Sequence, residues 1–483
     1  MRDMVLVLNL EDASSRAVTR KLRSEGIFCK IVAGDSTLEE IQDQSPLGLI
    51  LAGGETGALP EEIDERIFHA SLPVLALGDA AAALLRALGG SVGERVLYGA
   101  VAPLSYQDHP LMEGLDHGER LVQCGKEMAL SPDTRPICRS QEIILGFAHE
   151  NLPLFGVQFQ VEQNDPEGSM MLRNFALQIC GCTTWWDEDA FVARAVEEIR
   201  RVVGDGCAVC AMTGGLDSGV SALLAFRALG SRLKCIFVDT GLLREHEGDE
   251  FMAFYRDTLG MDVIRVHAQD RFITALRGIT DPREKRRVIG LTMQEVLTEE
   301  RNRLGDYQAL IRGTSFTDIM FGTRDRRPQL SDAVPVIEPV RELFKDEIRR
   351  IGDFLGMPQD IISRQPFPGS GLALRIMGEV TADRLRTLRA ADAIFRSEIV
   401  RANLAKRLWQ YFAVLSPMPG EESRSVIVLR AVQASDRAPG YAARLPYDLT
   451  ETVVDRVLRE RPEICRVVYD LTPSSSNSGV EWQ

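Results

Sequence analysis

Residues 208–230 read AVCAMTGGLDSGVSALLAFRALG, and this stretch constrains the fold more than any other. An apolar strand runs into Thr213-Gly214-Gly215-Leu216-Asp217-Ser218-Gly219, and a helix-patterned run follows at once. A strand that ends in a glycine turn and passes straight into a helix is a building unit of parallel α/β sheets. The glycines let backbone N–H groups approach a phosphate, and the helix start turns its positive end toward that charge. Thr213 and Ser218 add hydroxyl donors. Asp217 places an anion at a phosphate site, which makes chemical sense if it helps to hold Mg²⁺, a hard ion that prefers oxygen. The pattern is neither Gly-x-x-x-x-Gly-Lys nor the dinucleotide fingerprint. On the residues alone, a glycine-rich turn that binds nothing stays open.

The rest of the chain repeats the α/β pattern. MVLVLNL, LGLILAGG, PVLALG and LFGVQFQ are predicted strands, with helices over 14–24 and 80–88, the signature of a mostly parallel sheet. A boundary falls near ICGCTTWWDEDAFV, where Asp187 is placed to cap the helix AFVARAVEEIRRVV. CIFVD, DVIRVHA and ALIRGTS continue a second α/β unit that ends near FLGMPQD. After it come a helix, ADRLRTLRAADAIFRSEIVRANL, and the strands SVIVLRAV and CRVVYDL. The expected domains are 1–185, 186–360 and 361–483: two doubly wound parallel-sheet domains, then a small α+β domain. PSSSNSG near the C-terminus reads as a flexible loop.

The net charge of −14 argues against non-specific binding to nucleic acid or anionic membrane. No apolar run is long enough to span a bilayer, and MRDMVLVLNLED reads as a first strand rather than a signal peptide. Nine scattered cysteines predict reduced thiols in the cytoplasm, not a disulfide framework. Cys207 and Cys210 form a lone CxxC in an apolar strand, where burial is the simpler reading than zinc. The six histidines show no metal-ligand spacing.

Residues 73–90, PVLALGDAAAALLRALGG, form a strand-turn-helix elbow of the kind that lifts a nucleophile clear of a sheet. Yet no Cys or Ser stands at its turn.

The loop TGGLDS resembles the pyrophosphate loop S-G-G-x-D-S of the ATP pyrophosphatase superfamily, whose members split ATP to AMP and pyrophosphate and adenylate a substrate oxygen. CIFVDTGLLREHEGDEF, GTSFTD, EPVRELFKDEIRRIG, RQPFPGSGLALRIMGEVT, LPYDL, RVVYDL and VEWQ follow in order, and together they resemble the C-terminal two-thirds of the GMP synthase family. Residues 1–185 look like that family's class I glutamine amidotransferase domain, so the resemblance covers the whole chain. It implies ATP and Mg²⁺ as cofactors, with Thr213, Gly214, Gly215, Leu216, Asp217, Ser218, Asp239, Gly313 and Thr314 at ATP. Lys345, otherwise a surface charge beside Asp346 and Glu347, would neutralise the departing pyrophosphate. Asp318, Arg324, Arg364, Pro368, Gly369 and Glu481 would face a purine nucleotide, and the C-terminal domain would form a homodimer.

Three departures matter. First, counted from the Leu-Gly-Gly at 88–90, the family's nucleophilic Cys is Gly78. Its F-H-P-E signature is FQVE, with Gln160 for His and only Glu162 kept. Without thiol or imidazole, glutamine hydrolysis by this domain is not expected. Second, where the family has Ser-His-Gly-Asp, this chain has QCGKEMALSPD, with Cys124 in the His position and Lys126 placed to favour a thiolate if the loop brings it near. A neutral substitution is the plain alternative. Third, the substrate lid is MFGTRDRRPQLSDAVPVIEP, with Arg324, Arg326 and Arg327, and the C-terminal G-K-P-P-x-T-I-E-W has become PSSSNSGVEW, which keeps Glu481 but not the phosphate-binding Lys.

Three functions follow. The first is adenylation of a guanine-nucleotide carbonyl and displacement of AMP by sulfur, giving a 6-thioguanine nucleotide, with a cysteine desulfurase as donor and Cys124 as persulfide carrier. The second is an ammonia-dependent GMP synthase acting on XMP with a separate ammonia source. The third is a non-catalytic regulatory paralogue.

Overall fold

Continuous apolar runs need cover on both faces, and this chain supplies it with helices laid over parallel strands. The computed structural model describes residues 3–53, 63–116, 118–158, 166–320, 334–365, 367, 369–418, 420–435 and 438–473. The chain divides into two units, Met1–Ala190 and Phe191–Gln483.

The first unit contains a nine-stranded sheet. Its strands are β1 (Val5–Asn9), β2 (Cys29–Ala33), β3 (Gly48–Ala52), β4 (Val74–Leu77), β5 (Ser91–Tyr106), β6 (Gly118–Ala129), β7 (Thr134–Ser140), β8 (Ile143–His149) and β9 (Leu154–Val157). Their order is β2-β1-β3-β4-β9-β8-β7-β5-β6. The run β2-β1-β3-β4-β9 is parallel, and every pairing from β9 to β6 is antiparallel. The four predicted strands are β1, β3, β4 and β9, all in the parallel half. The antiparallel half departs from the expected doubly wound pattern: its strands mix Gly, Pro and charge with apolar residues, and hairpin pairing rather than apolar continuity holds them. Helices form over Asp12–Ser24 and Asp79–Ala87. Val5, Val7, Ile50, Leu75, Val157 and Phe175 belong to one buried core.

In the second unit a five-stranded sheet runs β12-β11-β10-β13-β14, all parallel. Its strands are β10 (Ala208–Met212), β11 (Leu233–Asp239), β12 (Val263–His267), β13 (Ala309–Ile311) and β14 (Val336–Ile337). A helix over Glu188–Val203 leads in, and the Asp187 carboxylate accepts the amide of Ala190 at 2.7 Å, as its capping position predicts. A second sheet follows, of β15 (Gln410–Met418), β16 (Glu421–Ser435), β17 (Ala438–Ala442) and β18 (Ile464–Tyr469), in which β16 pairs with the other three. The helix Ala382–Arg401 packs on β15. One core runs through both sheets, from Val209 and Ile236 to Leu415, Ile427 and Ile464. No helix among the described residues is long and apolar enough to cross a membrane.

Candidate active site

β10 lies in the sheet between β11 and β13, so the turn after it opens where the strand order reverses, the usual ligand position in such sheets. Thr213 to Gly215 form the turn, and the helix Leu216–Leu229 begins without a side-chain cap, leaving its first amides to a ligand or water. Ser218 braces the turn from inside. Its hydroxyl donates to the Gly215 carbonyl at 2.9 Å, accepts the Thr213 amide at 3.2 Å and lies 3.2 Å from the Thr213 hydroxyl.

Asp217 Oδ2 is paired with Nζ of Lys345, the first residue of the helix Lys345–Phe354. Its Oδ1 is buried without a hydrogen-bond partner. Burial pushes the Asp217 carboxyl above its ordinary value, the Lys345 charge works against that, and nearby Asp318 adds to it. Asp318 is held by the amide and hydroxyl of buried Ser315, at 3.0 and 2.9 Å. A buried carboxylate oxygen left over, with a second carboxylate near, fits Mg²⁺, which takes one or two carboxylates and completes its shell with water and phosphate oxygens. Asp217 would hold it. Gly313, just past β13, lies against the helix start: a Cβ there would be 2.5 Å from Ser218 Cα and 2.7 Å from the Asp217 carbonyl carbon. The Thr314 hydroxyl donates to Glu338 at 2.6 Å.

Asp239 ends β11 on the neighbouring strand, buried, with both oxygens engaged. Arg265 donates to Oδ2 at 2.6 and 3.2 Å, and the Gly241 amide to Oδ1 at 3.1 Å. Burial alone would raise its pKa, but these donors outweigh burial and hold it below the ordinary value. Sequence reasoning missed Arg265; the basic residue in VIRVH was its only signal. Arg364 sits between Glu247, at 3.8 Å, and Glu250. Gly369 is exposed, and Arg324, Pro368 and Glu481 lie outside the described residues. The structure thus gathers Thr213–Ser218, Gly313, Asp318 and Lys345 around one helix start.

The elbow of the first unit keeps its shape. Gly78, between β4 and the helix Asp79–Ala87, has φ 60° and ψ −127°, a conformation that strains any residue with a Cβ. Its amide donates to the Val157 carbonyl at 2.9 Å. The next residue, Asp79, meets Lys126 Nζ at 2.9 Å; the Asp79 side chain is buried and that of Lys126 mostly so. The Gln158 side chain grips the Lys126 backbone, accepting its amide at 2.6 Å and donating to its carbonyl at 2.8 Å. So the Lys126 charge, considered above as support for a Cys124 thiolate, is committed to Asp79. Cys124 stands in β6 opposite Tyr98. Its side chain, and Gln160 and Glu162 entirely, lie outside the described residues. Lys126→Met strips the counter-charge from a carboxylate only 6% exposed. Such losses cost about 3–5 kcal/mol, so urea denaturation of the full chain should show the first unit's transition shifted well down.

Cys207 and Cys210 are both free thiols, the first partly exposed and the second buried. Cys210 is fully buried beside Cys235 in register on β11, and that hydrogen bond and burial push its thiol well up. No group of three or more His, Cys, Asp or Glu among the described residues is arranged as a metal cage.

Residues 397–482 match the model of the GMP synthase C terminal domain. Over 510 aligned residues the chain is 36% identical to the GMP synthase [glutamine-hydrolyzing] of Clostridium perfringens, covering all of both chains. It is also 36% identical to the enzyme of that name from Clostridium tetani, again over all of both chains. With the one from Lactobacillus acidophilus the identity is 36%, over all of this chain and 98% of the relative.

Proposed function

The chain belongs to the GMP synthase family, and on that premise we propose that it adenylates the carbonyl oxygen of a purine nucleotide with ATP and takes the displacing nucleophile from a source other than glutamine hydrolysis in its own first unit. One contrast carries this reading: the loop at 213–218 keeps its donors and a carboxylate with one buried oxygen, paired with Lys345, while the elbow has Gly78 where a nucleophile would stand.

The chemistry needs both halves. A purine carbonyl oxygen is a poor leaving group, and as part of AMP it leaves readily. The loop amides and hydroxyls bind and orient the triphosphate. Lys345 meets the charge that grows on the departing pyrophosphate. Asp217 would hold Mg²⁺, which would supply further charge neutralisation at the phosphates. Asp239, kept ionised by Arg265, faces the adenosine.

Sulfur is the nucleophile we put first. Attack at C6 of an adenylated guanine nucleotide forms a C–S bond, breaks the C–O bond and releases AMP. Sulfide does this directly. A persulfide on Cys124, charged by a cysteine desulfurase, would leave a mixed disulfide that a second thiol must reduce. The lid arginines and the lost C-terminal Lys favour a substrate other than XMP. The 36% identity to glutamine-hydrolysing GMP synthases favours the second reading, amination of XMP by external ammonia. A cytoplasmic homodimer accords with either.

The test incubates the purified chain with ATP and Mg²⁺, in one arm with GMP and sulfide and in the other with XMP and ammonia, and identifies products by mass. A 6-thioguanine nucleotide from the first arm is expected. GMP alone, from the second arm, sinks the sulfur reading. Product from neither arm leaves a regulatory paralogue. In both arms L-glutamine should fail to replace the added nucleophile. Desulfurase-coupled thiolation that survives Cys124→Ala removes the carrier role.

A further inference from the structure

The loop after β11 is shaped by a segment far from it in sequence. Gly241, Leu242 and Leu243 present three successive carbonyls, and each accepts a hydrogen bond from the chain beyond residue 370. Arg389, on the helix Ala382–Arg401, donates from Nη2 to Gly241 at 2.5 Å and from Nε to Leu243 at 2.9 Å. Between them the Leu372 amide donates to Leu242 at 2.8 Å. The segment that carries Leu372 is itself fastened. Lys285, almost wholly buried, donates to the carbonyls of Ile376 at 2.6 Å and Ala373 at 3.2 Å. Arg384 donates to those of Met377 at 2.8 Å and Glu379 at 2.7 Å.

The gripped loop starts at Asp239, whose carboxylate takes the amide of the same Gly241 that Arg389 holds by its carbonyl. Arg389 is also close enough to Asp239 and Glu245 for their charges to favour its cationic form against burial. A guanidinium suits this work, because its fork reaches two carbonyls from one rigid plane and an ammonium reaches them only as a point charge. Turning either carbonyl away would leave Arg389 half-buried without acceptors.

We propose that Arg389 is a positioning residue for ATP: by holding Gly241 and Leu243 in place it sets the orientation of Asp239, so that the C-terminal segment completes the nucleotide site of the parallel sheet. This rests on the reading above that Asp239 lies at the adenosine.

The test uses the full chain and Mg²⁺ with a non-hydrolysable ATP analogue, the imido-linked triphosphate, titrated by calorimetry. Arg389→Met should weaken binding tenfold or more. Arg389→Lys, which keeps the charge and reaches one carbonyl, should fall between the two. Arg386→Met, on the exposed face of the same helix, should bind as the unaltered chain does. Analogue affinity within twofold of the unaltered chain in Arg389→Met overturns the proposal, whatever its thermal stability. If Arg389→Met does not fold, Arg389→Lys decides, and unchanged affinity there overturns it equally. An unaltered chain that does not bind the analogue removes the ATP reading and this proposal together, whereas intact binding that ignores Arg389 removes this proposal alone.

Discussion

Asp217→Asn is expected to lower substrate-dependent pyrophosphate release by about 10²–10³-fold, and Lys345→Met by a similar factor, the range typical of removing one preorganised charge contact to a developing anion. The two side chains are joined in the resting site, so the double variant should lose little more than the worse single one. The pH profile separates their roles. In the metal-free chain burial raises the Asp217 carboxyl, so its protonation, followed by NMR titration, should lie above that of an ordinary aspartate and move further up in Lys345→Met as the opposing charge is lost. For stability the sign follows from the same shift. The folded state holds the Asp217 proton more tightly than the unfolded chain does. Its contribution is therefore full below the ordinary carboxylate pKa of 3.8 and is lost as pH rises through the elevated folded value. Asp217→Asn removes that loss, so a variant nearly dead in turnover should be no less stable near neutral pH. A fall in activity that only tracks a fall in melting temperature would contradict this.

Much of the loop at 213–218, the proposed phosphate site, is legible in the sequence, because its signal is local. Strand, glycine turn, hydroxyls and Asp217 fall within eleven residues, 208–218, and the backbone there follows the pattern. The parallel strands are legible for a related reason: β1, β3, β4, β9, β10 and β11 are buried on both faces and so read as unbroken apolar runs. What escapes is everything that depends on distance along the chain. Asp79 and Lys126 are ordinary charges until β6 brings one to the other. Lys345 reads as surface charge on a helix, and only the family resemblance points it toward the loop that holds Asp217, its partner in the structure. Arg265 can be seen as basic but not as the partner of Asp239. Arg389, Arg384 and Lys285 are harder still, since they bind carbonyls, and a carbonyl belongs to every residue and marks none. The elbow is legible as a backbone shape. Its ion pair is not, so the sequence shows Lys126 only as a charge two residues from Cys124, and the structure shows that this charge is paired with Asp79.

Gly313→Ala should be among the most damaging single-atom additions in this chain, although Gly313 touches no reacting group in the mechanism proposed. The added Cβ would meet Ser218 Cα at 2.5 Å and the Asp217 carbonyl carbon at 2.7 Å, and would come closer still to the Ser218 amide nitrogen. All three are backbone atoms at the start of the helix Leu216–Leu229, so no side-chain rotation relieves the clash. Either β13 or the helix start must move. β13 is hydrogen-bonded to β10 and β14 on its two sides, which makes the helix start the part that gives. Overpacking of this kind costs about 1–3 kcal/mol of stability. The larger effect falls on turnover, because a shift of about 1 Å in a positioning element can cost on the order of 10²-fold. Gly215→Ala provides the contrast on the same loop: its Cβ would lie 3.5 Å from the Thr213 hydroxyl oxygen, ordinary contact, at a φ of −81° open to any residue. Thermal melts and pyrophosphate-release assays on both variants should therefore diverge. Gly215→Ala should keep its melting temperature, and Gly313→Ala should lose several degrees and most of its turnover. Equal behaviour of the two would mean that the contact between Gly313 and the helix start does not hold the loop.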